Sequence, residues 1–177
     1  MSTTIVYFDL DYFKDFNDVS GYRTGVNVIQ LTARLLSEQI EIGSDFLGHI
    51  GGDDFVVVFK SSDWDSKIQK VLENFDREVR TFFKAEHLAA GGFVTQNRQG
   101  FDVFHPLVSL SVGIVLVEPG QVRSPFELSE QMAQTKKWPR RCPGAVILLS
   151  AAVSEYRYRA ATPSQYTPNS LRQRLHL

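Results

Sequence analysis

With 177 residues, of which 43% are hydrophobic and 12% aromatic, the chain has enough apolar material for one sizeable core, which excludes a disordered protein. Nineteen basic and 20 acidic residues leave a net charge of −1, so no global field draws it to nucleic acid or an anionic membrane. The single cysteine, Cys142, excludes an internal disulfide framework. The start Met-Ser-Thr-Thr-Ile-Val-Tyr-Phe-Asp lacks a basic, then apolar leader pattern, and no stretch approaches the roughly 18 apolar residues of a membrane span. These features point to a cytoplasmic protein with no direct membrane insertion.

In chain order, Ile5-Val-Tyr-Phe-Asp-Leu10 is β-branched and aromatic and ends in acid, which suits a buried strand opening onto a site. A loop with Asn17, Asp18 and Gly21 follows. From about Gly25 to Ile40, Val28, Leu31, Leu35 and their neighbours Ile29, Leu36 and Ile40 recur at three- and four-residue intervals, predicting an amphipathic helix. Phe46–Ile50 and Phe55–Phe59 flank Gly51-Gly-Asp-Asp54 and read as a β-hairpin. Ile68, Val71, Leu72, Phe75, Val79 and Phe82 predict a second helix from about Trp64 to Lys84. Residues 85–105 read as an irregular hairpin or excursion. Leu107–Leu116 is a strand, a helix is predicted from Pro125 to about Trp138, and Ala145–Leu149 is a last strand. Beyond Ser150 four arginines, three tyrosines and two prolines show no sustained period, and a loosely ordered tail is expected over 151–177. The order predicts one domain over 1–150, an α+β or α/β sandwich with one central sheet flanked by helices.

A Gly-Gly-Asp-Asp turn is by itself a common solvated surface feature. Here Asp9-Leu10-Asp11 ends the first strand, and adjacent strands of one sheet bring Asp9 near Asp53. Paired carboxylates suit a hard cation with oxygen ligands such as Mg²⁺, which binds one or two carboxylates plus substrate phosphates. The glycines let a phosphate approach the backbone. Phosphoryl or nucleotidyl transfer is the chemistry this pattern favours.

Phe8-Asp9-Leu10-Asp11-Tyr12-Phe13-Lys14, Asn17-Asp18, Gly21, Gly25, Gly51-Gly52-Asp53-Asp54-Phe55 and Ser109-Leu-Ser-Val-Gly113 together resemble the GGDEF domain family of diguanylate cyclases in order and spacing. More narrowly, the chain is similar to C-terminal GGDEF modules of larger cyclic-di-GMP signalling proteins. The resemblance implies an α+β fold with a central, mostly antiparallel sheet of the nucleotidyl-cyclase or palm-like kind. The resemblance implies Mg²⁺-dependent (or Mn²⁺-dependent) condensation of two GTP to cyclic di-GMP in a facing homodimer, alongside other domains of a longer parent protein. It implies that Asp9, Asp53 and the Leu10 carbonyl hold the metal and that Asp54 is a second ligand or the base. Phe13, Lys14, Gly51 and Gly52 fall at phosphate-contacting positions, Asn17 at a guanine-contacting one, and Lys137 and Arg141 at positions touching the terminal phosphates. For these last two the plain alternative is a solvated basic helix end beside Lys136 and Arg140. A Gly-Gly-Asp-Asp turn also occurs in the polymerase-like palm of CRISPR effectors, but the Phe13-Lys14, Asn17 spacing argues against that.

The chain also departs from the family pattern. Asp54 stands where the family has Glu, withdrawing the carboxylate by roughly 1.5 Å. The acid that partners the guanine-binding Asn falls at Val26, with Asn27 beside it pointing elsewhere on the helix. Tyr22 replaces a His. The product-inhibition motif Arg-x-x-Asp reads Ile42-Gly-Ser-Asp45, which predicts no tight feedback. The family's preceding helix and turn are missing before Ile5, as in a fragment or a shortened domain. These departures favour the alternative of a catalytically degenerate module that binds GTP or a partner domain as a regulator.

Overall fold

The computed structural model describes residues 3–117, 145–150 and 153–160. Strand β1, Thr3–Asp11, is the spine: its β-branched and aromatic residues pair antiparallel with β3 (Asp54–Phe59) on one side and β6 (Ser109–Val117) on the other. Outside β3 lies β2 (Phe46–Gly51), and outside β6 lie β7 (Ala145–Ser150) and β8 (Val153–Ala160). The six-stranded order is β2-β3-β1-β6-β7-β8, and every pair is antiparallel except β6 with β7. The mostly antiparallel α+β arrangement is as predicted.

Strand alternation divides the sheet's two faces. Val6, Phe8 and Leu10 of β1, Phe55, Val57 and Phe59 of β3, and Leu110, Val112 and Ile114 of β6 enter one core with the helices. The helices present matching stripes: Val28, Leu31, Leu35 and Leu36 from α2 (Tyr22–Ser37), and Ile68, Val71, Leu72, Phe75 and Val79 from α3 (Trp64–Val79). Phe8, Phe16, Phe55, Phe59 and Phe75 are almost wholly buried, each a burial worth about 1.5–3 kcal/mol.

Three expectations need correction. Residues 13–20, read as a loop from Asn17, Asp18 and Gly21, form helix α1 (Phe13–Ser20). Its buried side chains, Phe13 and Phe16, stand three residues apart, and Phe16 packs on Phe83 and Phe93 with ring centroids at 4.9 and 6.3 Å. Tertiary packing thus overrides a turn-like composition. The excursion at 85–105 contains a short helix, α4 (Ala85–Ala90), before a regular hairpin of β4 (Gly92–Gln96) and β5 (Asp102–Pro106). The expected loose tail contains β8, paired with β7. In sequence Tyr156 and Tyr158 alternate with Glu155, Arg157 and Arg159, a two-residue period characteristic of a strand. Elsewhere shifts are small: α2 starts and stops three residues early, and α3 closes in a 3₁₀ turn, Arg80–Phe82. The helix predicted from Pro125 to Trp138, with Lys137 and Arg141, lies outside the described residues. No described helix is long and apolar enough to cross a membrane.

Candidate active site

The β1–β3 register places Asp9 directly opposite Asp54, at the end of β1 where the chain leaves the sheet. The hairpin joining β2 to β3 is tight, with Gly51 at φ +140° and Gly52 at φ +60°, values that side chains adopt only under strain. A Cβ at either glycine would meet no described atom within 4 Å, so the space around the turn is open and it is the backbone conformation that calls for glycine. The Leu10 N–H donates to the Asp53 carbonyl at 3.4 Å, which ties the turn to β1. As a result, carboxylate oxygens of Asp9, Asp53 and Asp54 all lie within 4.8 Å of one another, each residue half-buried. Half-burial lets such a cluster meet a ligand from solvent while its backbone is held by the sheet.

Asp11, the other acid of the β1 motif, is not part of this group. It is buried, and its Oδ2 accepts hydrogen bonds from Ser109 Oγ at 2.7 Å and Ser111 Oγ at 2.6 Å. It locks the end of β1 to β6.

After Asp11 the chain turns through Tyr12 in the left-handed conformation (φ 59°) and enters α1, whose start has no side-chain cap hydrogen bond. The N–H groups of a helix's first turn have no intrahelical acceptor and suit an anion. Phe13 opens α1 with its ring in the core, so what it offers a ligand is its backbone; Lys14 beside it is exposed. One turn on, Asn17 Oδ1 is buried and has no hydrogen-bond partner among the described residues. A buried acceptor left unpaired costs about 1–3 kcal/mol, and a ligand donor would remove that cost. Asn17 sits there because residue 25 is glycine: a Cβ at Gly25 would stand 1.6 Å from Oδ1. Gly25→Ala is therefore expected to displace the Asn17 amide, and a ligand whose N–H that oxygen accepts should bind about tenfold more weakly in a titration, a loss of about 1.4 kcal/mol.

Two neighbouring residues offer Asn17 no help. Val26 is half-buried and apolar, while Asn27 lines a separate groove between α2 and α3 with Gln30, Arg34 and Glu78. At the start of β2, Ile42 is 98% exposed and Asp45 is turned into the protein, so these positions present no paired basic and acidic group to solvent. Sequence reasoning missed the closure of Gly25 on Asn17, because nothing in a single glycine names what approaches it.

Comparison with known proteins agrees with this geometry. Residues 1–137 match the family described as diguanylate cyclase, GGDEF domain. The diguanylate cyclase DgcP of Escherichia coli is 29% identical over 143 residues, 78% of this chain and 37% of that protein. The probable diguanylate cyclase DgcC of the same organism is 35% identical over 69 residues, 39% of this chain and 18% of that protein. The chain thus spans well under half the length of these relatives. Among solved structures, the GGDEF domain of YfiN (TpbB) of Pseudomonas aeruginosa superposes with a TM-score of 0.54 at 22% identity, covering 83% of this chain and 81% of that one. That likeness speaks to fold alone. With the match running from the first residue through the acid-bearing hairpin and beyond β6, the chain belongs to the GGDEF domain family of diguanylate cyclases.

Proposed function

We propose that this chain is the cyclic-di-GMP signalling domain of a longer protein, spanning residues 1–150, and that it binds GTP with Mg²⁺ or Mn²⁺ and condenses two GTP to cyclic di-GMP. The observation that supports this most is the convergence of Asp9, Asp53 and Asp54 beside the start of α1. Oxygen-only, acidic ligands suit a hard divalent cation, which when bound supplies charge neutralisation and orientation of phosphate oxygens. Asp9, Asp53 and the Leu10 carbonyl would hold it. The open turn at Gly51 and Gly52 admits the phosphates, the α1 start at Phe13 and Lys14 binds them, and Asn17 Oδ1 accepts an N–H of guanine. Lys137 and Arg141 are assigned to the terminal phosphates on the family pattern.

In the reaction, a 3′-oxygen of one GTP forms a bond to the α-phosphorus of the other, and the bond from that phosphorus to diphosphate breaks. Asp54 takes the hydroxyl proton. Repeating the step in the opposite sense closes the ring and releases a second diphosphate, so two copies of the chain must face each other. Each site holds one nucleotide, and a homodimer is the working unit. No nucleic-acid partner is assigned.

A second reading, a GTP-binding regulator without turnover, is favoured by the apolar Val26 next to Gly25, where the family pattern has an acid, and by the short reach of Asp54. Incubating the purified chain with GTP and Mg²⁺ and separating the nucleotides distinguishes the two. Slow formation of cyclic di-GMP is expected, and Asp54→Glu, which extends the carboxylate by a methylene, is expected to raise the rate about tenfold. GTP binding with no product from either form supports the regulator.

A further inference from the structure

The β4–β5 hairpin forms its own two-stranded sheet, apart from the six-stranded one, yet one of its side chains reaches the junction that carries Lys14. His105 on β5 has a side chain only 13% exposed, and its Nδ1 lies 3.5 Å from Asp15 Oδ2 in the first turn of α1. Its Nε2 shares a 2.8 Å hydrogen bond with Thr95 Oγ1 across the hairpin. The ring stacks on Phe93 with centroids 5.5 Å apart and meets the Tyr12 ring edge-on at 5.9 Å.

Tyr12 and Asp15 bracket the residues assigned to the phosphates. Among the described residues, Tyr12 is the one non-glycine residue at positive φ, a conformation that persists only where its surroundings hold it. The helix it opens has eight residues and no side-chain cap, too short to place itself without tertiary contacts. Phe16 anchors its inner face on Phe83 and Phe93. His105 is what the hairpin applies to its outer, leading end. It touches the residue before Phe13 and the residue after Lys14, while its ring lies against Phe93 and its Nε2 is hydrogen-bonded to Thr95.

We propose that His105 is a positioning residue for the nucleotide: it fixes the Tyr12–Asp15 turn from the hairpin, and so sets the aim of Lys14 and Asn17. This rests on the GTP reading above. The alternative is that His105 merely holds the hairpin together, and that role would lower stability without touching nucleotide affinity.

The test is a calorimetric titration of Mg²⁺ and GTP into the full chain, with urea unfolding of each form alongside. His105→Phe keeps the ring and loses both nitrogens; Asp15→Ala removes the carboxylate from a partly exposed helix residue and leaves the core untouched. Each is expected to raise the GTP dissociation constant about tenfold. The double variant should be no weaker than either single one, because both remove the same contact. His105→Gln, which keeps a side-chain N–H, should recover most of the affinity. Unchanged GTP affinity in both variants, against a wild type that binds, overturns the inference even if stability falls. Fully additive losses in the double variant also overturn it. A wild type that does not bind GTP overturns the proposed function itself, and this inference with it.

Discussion

Asp53→Asn is expected to weaken Mg²⁺-dependent GTP binding by at least about 100-fold, close to 2.7 kcal/mol, while leaving the fold intact. Asn keeps the size of the side chain, and the turn's tie to β1 runs through the backbone carbonyl that accepts the Leu10 N–H, so the hairpin stays closed. What is lost is one of three negative charges gathered within 4.8 Å. A hard cation is held by charge and oxygen count, and a neutral amide supplies one oxygen and no charge. Calorimetry on the variant measures this directly, and thermal melting confirms that the hairpin survives. Binding that stays within a few-fold of wild type would place the metal elsewhere.

Asp45→Ala is expected to cost roughly 3 kcal/mol of stability at neutral pH, the low end of the range for breaking a buried ion pair. The Asp45 side chain is fully buried, with Oδ1 accepting the Lys60 N–H at 3.0 Å and Oδ2 accepting the Glu41 N–H and the Lys67 ammonium, each at 3.1 Å. It joins the entry to β2, the end of β3 and the first half of α3. Lys67 also lies 3.6 Å from Asp63 and above the Phe59 ring, which tempers the loss. Burial pushes the Asp45 carboxyl up, but the hydrogen bonds from Lys60, Glu41 and Lys67 outweigh it and hold it below the ordinary aspartate value. Burial likewise pushes the Lys67 ammonium down, and Asp45 and Asp63 together outweigh it, holding Lys67 above the ordinary lysine value.

The pH dependence follows from these directions. A carboxyl depressed in the folded state contributes fully above its unfolded value of about 3.9 and loses that contribution as pH falls through the folded value. An ammonium raised in the folded state contributes fully below about 10.4 and loses it as pH rises through its folded value. The gap between wild type and Asp45→Ala in urea unfolding should therefore be flat from about pH 5 to 9 and shrink in acid. A gap that stays constant down to about pH 2 would mean that the carboxylate's charge is not what stabilises it. The same clamp explains why the surviving acid of the Arg-x-x-Asp pattern is not offered to solvent, where Ile42 has replaced the arginine.

Much of this was legible in the sequence because the decisive signals are periodic or adjacent. Ile5–Leu10 and Phe55–Phe59 announce strands, Gly51–Asp54 announces the turn between β2 and β3, and neighbouring strands carry Asp9 to Asp54 without further information. The stripes at Val28–Leu36 and Ile68–Val79 announce helices. The misses are of another kind. α1 is short and turn-like in composition, and its helicity depends on Phe16 reaching Phe83 and Phe93, more than 60 residues away in sequence. Asp11 meets Ser109 and Ser111 across 98 and 100 residues. Asp45 and Lys67 meet across 22 residues, and the approach of Asn17 to Gly25 requires the α1–α2 junction in place. Each depends on contacts that no local pattern encodes.

The Asp9, Asp53 and Asp54 group, with the start of α1, is proposed to hold a metal–triphosphate. A calorimetric titration of GTP into the purified chain, with and without Mg²⁺, tests this most directly, since it does not require turnover. Saturable binding of one GTP per chain that vanishes without Mg²⁺ is the expected result. No binding at millimolar GTP in the presence of Mg²⁺ would contradict the account.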